Sequence, residues 1–474
     1  MLESPVPEPV LSVRPGEACG VFGIYAPGGD TARLTYFGLF ALQHRGQESA
    51  GIAVSDRETL TVYKDLGLVA QVFNETTLSA LSGDIAVGHT RYSTTGSPVW
   101  ENSQPVYRQI DSNGIALAHN GNLTNTHSLA TEMGRLFATT DSELMTEAVA
   151  RDMTTHQRSL RASLLEVLPE FEGAFTMAIM DRDTLVAVRD PNGFRPLCLG
   201  RLPEGWVVAS ETAALDIIGA KFVREVEPGE MVVIDESGVA SEHPFDKARA
   251  SLCLFEFVYF ARPDSTLYGQ NIHAVRRNMG EHLAEQAPAD ADIVVPVPES
   301  GIPAAQGYAA ATGIPYSDGL VKNRYVGRTF IQPAQSMRDH GIRMKLNPMP
   351  GELAGQRVVL VDDSIVRGST TRQLVSMVRE AGATEIHLRI SSPPYRWPCF
   401  YGMDTGDRST LLAAGRSIAE IQKFLEVESL AYLELEGLID ATGTAATGFC
   451  TACLSGAYPT EVPTTGDKYL LERS

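Results

Sequence analysis

Apolar and polar positions alternate in two different rhythms along the chain. Between residue 19 and about residue 240 the apolar runs are short and broken by turn residues: GVFGIYA, GIAVS, TLTVYKD, DIAVGHTRYS and GIALAHNG, then AFTMAIMD, TLVAVRD, WVVAS and EMVVIDE. Runs of this length, bounded by Gly, Asp and Ser, predict strands. Helical spacing over 31–44 and 140–151 predicts helices laid against them. Many strands with two helical layers predict an α+β sandwich. Farther on, the runs become continuous (ADIVVPVP, VVLVDD, EIHLRISS) and alternate with helical stretches such as 367–381. That pattern predicts a parallel α/β sheet. Residues 415–440 predict one or two helices, and the Gly/Thr/Ala-rich stretch after them an irregular tail.

The change of rhythm puts a boundary at 240–255 and divides the chain into units 19–245 and 246–474. A length of 474 residues suits two such units. Residues 1–18 carry prolines at 5, 7, 9 and 15 and predict a leader without a packed element.

Charge narrows the classes of function. A formal net charge of -19 and a pI near 5.0 repel a phosphate backbone, which argues against general nucleic-acid binding. No apolar run is long enough to cross a bilayer, and the N-terminal residues lack the apolar stretch of a secretory signal. A cytoplasmic location is expected, with no membrane partner. Disulfides are rare in that reducing compartment, so the six cysteines need another account.

Cys19 stands at the junction of the leader and the first strand. A thiol needs a base to become a good nucleophile. Removing residues 1–18 would give this residue its own α-amino group, whose pKa of about 7.7–8.0 suits that task. In the second half, VVLVDDSIVRGSTT (358–371) delivers Asp362 and Asp363 from an apolar strand into a Ser/Gly/Thr loop that opens a helix. Ligands of open α/β sheets bind at that edge; N–H groups of the loop suit a phosphate and the carboxylates suit ribose hydroxyls or Mg²⁺. The G-x-x-x-x-G-K-[ST] loop of ATPases is absent. Cys450-x-x-Cys453, with Cys253 and Cys399 to complete a set of four, predicts a metal site open to zinc or an iron–sulfur cluster. Cys198 is expected in the core. His44, His89, His119 and His127 have no metal-ligand spacing and are expected in packing or hydrogen bonding.

CGVFGIY, LQHRGQESAG, HTRYSTTG, HNGNLTN, TTDSE, DPNGFRPL and ASET occur in this order, and together they resemble the N-terminal-nucleophile glutaminase domain of amidotransferases. The 358–371 segment, VPVPESGIPAA (295–305) and KNRYVGRTFIQP (322–333) resemble the substrate motif, pyrophosphate loop and closing loop of type I phosphoribosyltransferases. Both in one chain resemble the glutamine phosphoribosyl-pyrophosphate amidotransferases over most of residues 19–455. The resemblance implies the fold, a glutaminase sandwich followed by a phosphoribosyltransferase domain. It also implies conversion of phosphoribosyl pyrophosphate, glutamine and water to 5-phosphoribosylamine, glutamate and diphosphate, the first committed step of purine synthesis.

Site roles follow from the resemblance. It implies Cys19 as nucleophile and Asn120 and Gly121 as oxyanion donors. Arg45, Arg91 and Asp141 are placed around glutamine, with Gly46 beside Arg45 shaping the pocket. Lys322, Arg324, Arg328, Asp362, Asp363, Ser364, Arg367, Gly368, Ser369 and Thr370 are placed on phosphoribosyl pyrophosphate, and Ser300, Asp362 and Asp363 on Mg²⁺, one per subunit. A leader together with four spare cysteines resembles the family branch with one [4Fe–4S] cluster per subunit, here on Cys253, Cys399, Cys450 and Cys453. A homotetramer inhibited by purine nucleotides is implied as well. Sugar-phosphate or asparagine synthases, and a nucleotide-sensing protein without catalysis, remain the alternatives.

Overall fold

The computed structural model describes residues 18–110, 113–133, 137–247, 249–323, 342–444, 448–463 and 470–472. Arg324, Arg328 and the leader residues 1–17 lie outside the described residues.

The first half is built on two antiparallel sheets. One runs Lys221–Glu225, Cys198–Leu202, Gly205–Ala209, Gly20–Tyr25, Ile85–Arg91, Ser49–Ser55, Leu60–Leu66. The other runs Gly238–Glu242, Met231–Asp235, Leu185–Arg189, Gly173–Met180, Asn113–Leu123, Val106–Ile110. Their inner faces meet in a core of Val21, Val87, Ala118, Ala178, Ala187 and Val208, where small side chains let the sheets approach. The central strands are buried on both faces because helices cover the outer ones. Thr31–Ala41 packs over Phe22, Ile24 and Ile52, while Asp141–His156 and Leu160–Val167 pack over Leu117, Phe175 and Met177. The result is a four-layer αββα sandwich.

The two long helices of this half fall where periodicity placed them, at Thr31–Ala41 and Asp141–His156. Each starts on a side-chain cap: Asp30 accepts from the Arg33 amide, and Thr140 from the Glu143 amide. Four strands escaped the pattern: Val106–Ile110, Cys198–Leu202, Lys221–Glu225 and Gly238–Glu242. All but Cys198–Leu202 lie at a sheet edge, where exposed polar positions dilute the apolar signal.

The second half carries a four-stranded parallel sheet in the order Ile293–Pro296, Arg357–Asp362, Glu385–Ile390, Ser429–Tyr432. Ile272–Gln286 and Ile302–Thr312 cover one face, and Ser369–Glu380 and Ile418–Leu425 the other. The 415–440 stretch is two helices, Ile418–Leu425 and Leu435–Ala441, with the short edge strand Ser429–Tyr432 between them. Pairing with Glu385–Ile390 supplies the strand's hydrogen bonds, so no local signal was needed to form it. The sandwich followed by an α/β sheet agrees with the expected fold class.

Phe22 is fully buried between the first sheet and helix Thr31–Ala41. Phe22→Ala is expected to destabilise the sandwich by about 3–5 kcal/mol, the usual cost of an aromatic-sized core cavity. Denaturant unfolding should show a lowered midpoint with the slope unchanged.

Candidate active sites

Strand Gly20–Tyr25 is paired on both sides, so its first turn of chain, Ala18–Cys19, is held at the sheet end. Ala18 packs into the core of the second half, which puts the nucleophile candidate at the junction of the two halves. Cys19 is buried, and its Sγ lies 3.3 Å from the Tyr92 carbonyl and 3.4 Å from the Tyr92 amide. Burial pushes its thiol up to about 11, partly opposed by the Tyr92 amide and Arg91. In the chain with residue 18 attached the thiol is therefore protonated at neutral pH.

Arg91 closes the neighbouring strand and is 2% exposed. Its guanidinium donates to the carbonyls of Ser97 (3.2 Å) and Thr95 (3.0 Å), and Glu48 stands 3.9 Å away. Burial holds its pKa below the ordinary value, against the attraction of Glu48, Cys19 and Asp141. Asp141 opens its helix, and its Oδ2 accepts the Leu123 amide at 3.1 Å. Arg91 and Asp141 both act electrostatically on Cys19, so the three share one pocket.

Asn120 and Gly121 lie inside strand Asn113–Leu123, opposite Thr176 and Phe175. They do not form a turn. Gly121 takes φ +151°, and a Cβ there would meet the Ala174 carbonyl oxygen at 2.0 Å, so only glycine fits. The Asn120 side-chain amide is buried, and its Nδ2 has no hydrogen-bond partner among the described residues. A buried, unpaired donor costs free energy, so one kept beside a nucleophile suits a ligand oxygen that arrives later. Thr94 Oγ1 donates to the Gly121 carbonyl at 3.4 Å, which joins this strand to the 92–97 loop beside Cys19.

Arg45 sits behind the nucleophile. Its Nε donates to the Cys19 carbonyl at 3.2 Å, and its two Nη groups pair with Glu211 and Glu256. Opposite charges hold it protonated despite full burial. Glu211 takes four donors in all, from His44 Nε2 (2.7 Å), Ser265 Oγ (2.6 Å), the Arg262 amide (2.9 Å) and Arg45, and these keep its carboxyl far below the usual range. His89 Nε2 lies 2.9 Å from the His119 carbonyl, and burial drives its pKa to about 3. His44, His89 and His119 thus make hydrogen bonds as expected, whereas His127 is exposed.

The second site forms at the C-terminal edge of the parallel sheet. Asp362 and Asp363 end the central strand, 7% and 2% exposed. Ser300 Oγ donates to Asp363 Oδ1 at 2.6 Å and Ser364 Oγ to Oδ2 at 2.7 Å. The 297–301 turn reaches this acid pair because the Val297 amide bonds to the Val361 carbonyl at 2.8 Å. Residues 364–368, including Arg367, then wrap into helix Ser369–Glu380, whose first residues are Ser369 and Thr370. Gly368 turns the chain at φ +79°, with Leu412 packed where a Cβ would stand. Lys322 lies at the rim, 3.0 Å from Glu299.

The four cysteines of the second half come from three segments. Cys253 and Cys450 are in register in a parallel two-stranded pair; Cys399 lies close enough to act electrostatically on both, and all three act on Cys453. Burial, with repulsion among the sulfurs, raises the thiols of Cys253, Cys450 and Cys453, Cys253 to about 11. Among the described residues no group of three or more His, Cys, Asp or Glu side chains has the geometry of an assembled metal site. Four thiols from three segments carry sulfur donors of the kind a metal or cluster takes, but they are not assembled as such a site among the described residues. Cys198 is buried in the sandwich core.

Several residues of these sites had no role from sequence. Glu48, Arg195 and Glu211 lie inside quoted motifs, but their partners are 43 to 211 positions away, as with Arg91 and Glu48 or Arg45 and Glu256. Glu256 lies in no motif that was singled out.

Two family models match the chain: a glutamine amidotransferase domain over residues 89–216 and a phosphoribosyl transferase domain over 267–391. The amidophosphoribosyltransferase of Mycobacterium tuberculosis (strain ATCC 25618 / H37Rv) is 52% identical over 95% of this chain and 88% of its own length. That of Bacillus subtilis (strain 168) is 46% identical over 94% and 95%. The solved glutamine phosphoribosylpyrophosphate amidotransferase from B. subtilis, complexed with ADP and GMP, superposes with a TM-score of 0.88 at 45% identity, covering 94% of this chain and 98% of that one. With both halves of the chain, both sites and this likeness in agreement, the chain belongs to the amidophosphoribosyltransferase family.

Proposed function

We propose that the chain converts phosphoribosyl pyrophosphate, glutamine and water to 5-phosphoribosylamine, glutamate and diphosphate, the first committed step of purine synthesis. One observation carries the reading furthest: a buried nucleophile pocket with an unpaired amide donor shares the chain with a buried acid pair over a phosphate-type loop. Family membership supports the same activity.

In this reading unit 19–245 is the glutaminase and unit 246–474 the phosphoribosyltransferase, released from leader 1–18. The freed α-amino group of Cys19 takes the thiol proton, and Sγ attacks the glutamine side-chain amide. Asn120 Nδ2 and the Gly121 N–H donate to the oxyanion, an effect worth about 3–4 kcal/mol per donor elsewhere. Arg91 holds the substrate α-carboxylate, Asp141 its α-ammonium, and Arg45 supports the nucleophile from behind. Ammonia passes to the second site, where Asp362 and Asp363 orient the ribose hydroxyls. Residues Ser364, Arg367, Gly368, Ser369 and Thr370 hold the 5′-phosphate, and Lys322, Arg324 and Arg328 face the diphosphate. Ser300, Asp362 and Asp363 would hold Mg²⁺, which would supply charge neutralisation for the leaving group. Cys253, Cys399, Cys450 and Cys453 would hold a [4Fe–4S] cluster, which would cross-link their three segments. A homotetramer in the cytoplasm, inhibited by purine nucleotides, completes the proposal. No helix among the described residues is long and apolar enough to cross a membrane.

Cys19→Ala should abolish glutamine-dependent product formation and keep the ammonia-dependent reaction, while Asp362→Ala or Asp363→Ala should impair both. Equal loss of both activities in Cys19→Ala would sink the division of labour between the sites.

The state of Cys19 predicts a pH dependence. Its thiol is raised to about 11 in the chain carrying residue 18, so the reactive thiolate is scarce below that pH. Iodoacetamide alkylation of the unprocessed chain should be slow at pH 7 and climb through pH 10. The chain beginning at Cys19 should already react fast near pH 8. Equal profiles before and after processing would remove the α-amino group as base.

Anaerobically purified protein should be brown and carry about four irons per chain, the content of a [4Fe–4S] cluster. Zinc in place of iron would refute the cluster.

A further inference from the structure

Glu256 has no exposed surface and no place in the reaction as written above. It lies in a single π-helical turn, Glu256–Phe260, closed by the Ala261 amide on the Glu256 carbonyl at 3.1 Å. Such turns distort a helix at a cost in backbone hydrogen bonding and often mark functional positions. Here the turn aims one carboxylate at two guanidiniums of the glutaminase half. Arg45 Nη2 donates to Oε1 at 2.8 Å and to Oε2 at 3.0 Å, and Arg195 Nη1 to Oε1 at 3.2 Å.

Both arginines then hold backbone. Arg45 donates from Nε to the carbonyl of Cys19, the nucleophile candidate itself. Arg195 donates to the Tyr401 carbonyl at 2.9 Å. The turn that carries Glu256 is in turn pinned from the second half: Arg276, on helix Ile272–Gln286, donates to the Phe257 and Ala261 carbonyls, both at 2.8 Å. The same Arg276 is drawn electrostatically to Asp363 of the acid pair. A chain of buried ionic and hydrogen-bonded contacts therefore runs from the Cys19 backbone to Arg276 on helix Ile272–Gln286 of the second half.

We propose that Glu256 is a positioning residue of the glutaminase reaction: through Arg45 it fixes the Cys19 backbone, and it does so from a turn whose place is set by the phosphoribosyltransferase half. A neutral amide at 256 keeps the shape but lacks the charge that orients both forks. The Cys19 carbonyl then loses its fixed donor, and Sγ shifts relative to the Asn120 donor. An ångström of misplacement is enough for a large loss of rate.

The inference rests on the proposed glutaminase reading, and its test needs only the nucleophile. Processed holoenzyme of wild type, Glu256→Gln and Arg45→Lys is treated with 6-diazo-5-oxo-L-norleucine, a glutamine-shaped alkylating agent, and the rate of Cys19 labelling is followed by mass. Both variants are expected to label more slowly, by about 100-fold, the scale of a misplaced reacting group. For glutamine turnover, kcat should fall with KM unchanged, and ammonia-dependent synthesis by Glu256→Gln should stay at the wild-type rate. Arg45→Lys keeps the positive charge between Glu211 and Glu256 but loses the fork, so it reads the tether should Glu256→Gln fail to fold. Labelling at the wild-type rate in a folded variant overturns the proposal, and so does parallel loss of ammonia- and glutamine-dependent activity. A wild-type chain that labels normally but forms no phosphoribosylamine would instead overturn the assigned acceptor and leave the role of Glu256 standing.

Discussion

The architecture turns on a guanidinium without exposed surface. Arg45 is buried where the sandwich meets the α/β half, and a lone charge there would be costly. It is tolerable because Glu211 comes from the sandwich and Glu256 from the following segment, with Arg195 balancing the second acid. Breaking one partner of such a set leaves an uncompensated buried charge, a penalty of about 3–5 kcal/mol. The cluster therefore joins the two halves through buried charge pairs.

The sites solve opposite electrostatic problems with the same means. At the first, burial keeps the Cys19 thiol protonated and leaves an Asn120 donor unpaired, so reactivity waits for a base and a ligand. At the second, two buried acids stand side by side, and hydroxyls of Ser300 and Ser364 share the charge of Asp363. A buried unpaired donor and buried carboxylates cost free energy that a bound ligand offsets. That is the expected signature of preorganised binding sites.

Much of this was legible along the chain. Central strands and the two long helices of the sandwich announced themselves by period, because each buries a continuous face. The strand-to-loop passage at Asp362–Asp363 and the ordered glutaminase motifs pointed to both sites. Edge strands such as Lys221–Glu225 and Ser429–Tyr432 did not stand out, since pairing with a neighbour supplies what their own sequence lacks. Asn120–Gly121 reads locally as a turn, yet it lies mid-strand, where Gly121 is required by the close approach of the Ala174 carbonyl.

What the sequence determined by itself was therefore the set of elements and the chemistry they carry: periodicity and motif are local properties, written in neighbouring residues. Tertiary structure decided which distant groups meet. Only the folded chain brings Arg45 to Glu256 across 211 positions, opposes Cys253 to Cys450 in one register, and leaves the Asn120 amide without a partner. Those outcomes depend on burial and on pairing between segments far apart in the chain, and neither has a period to read.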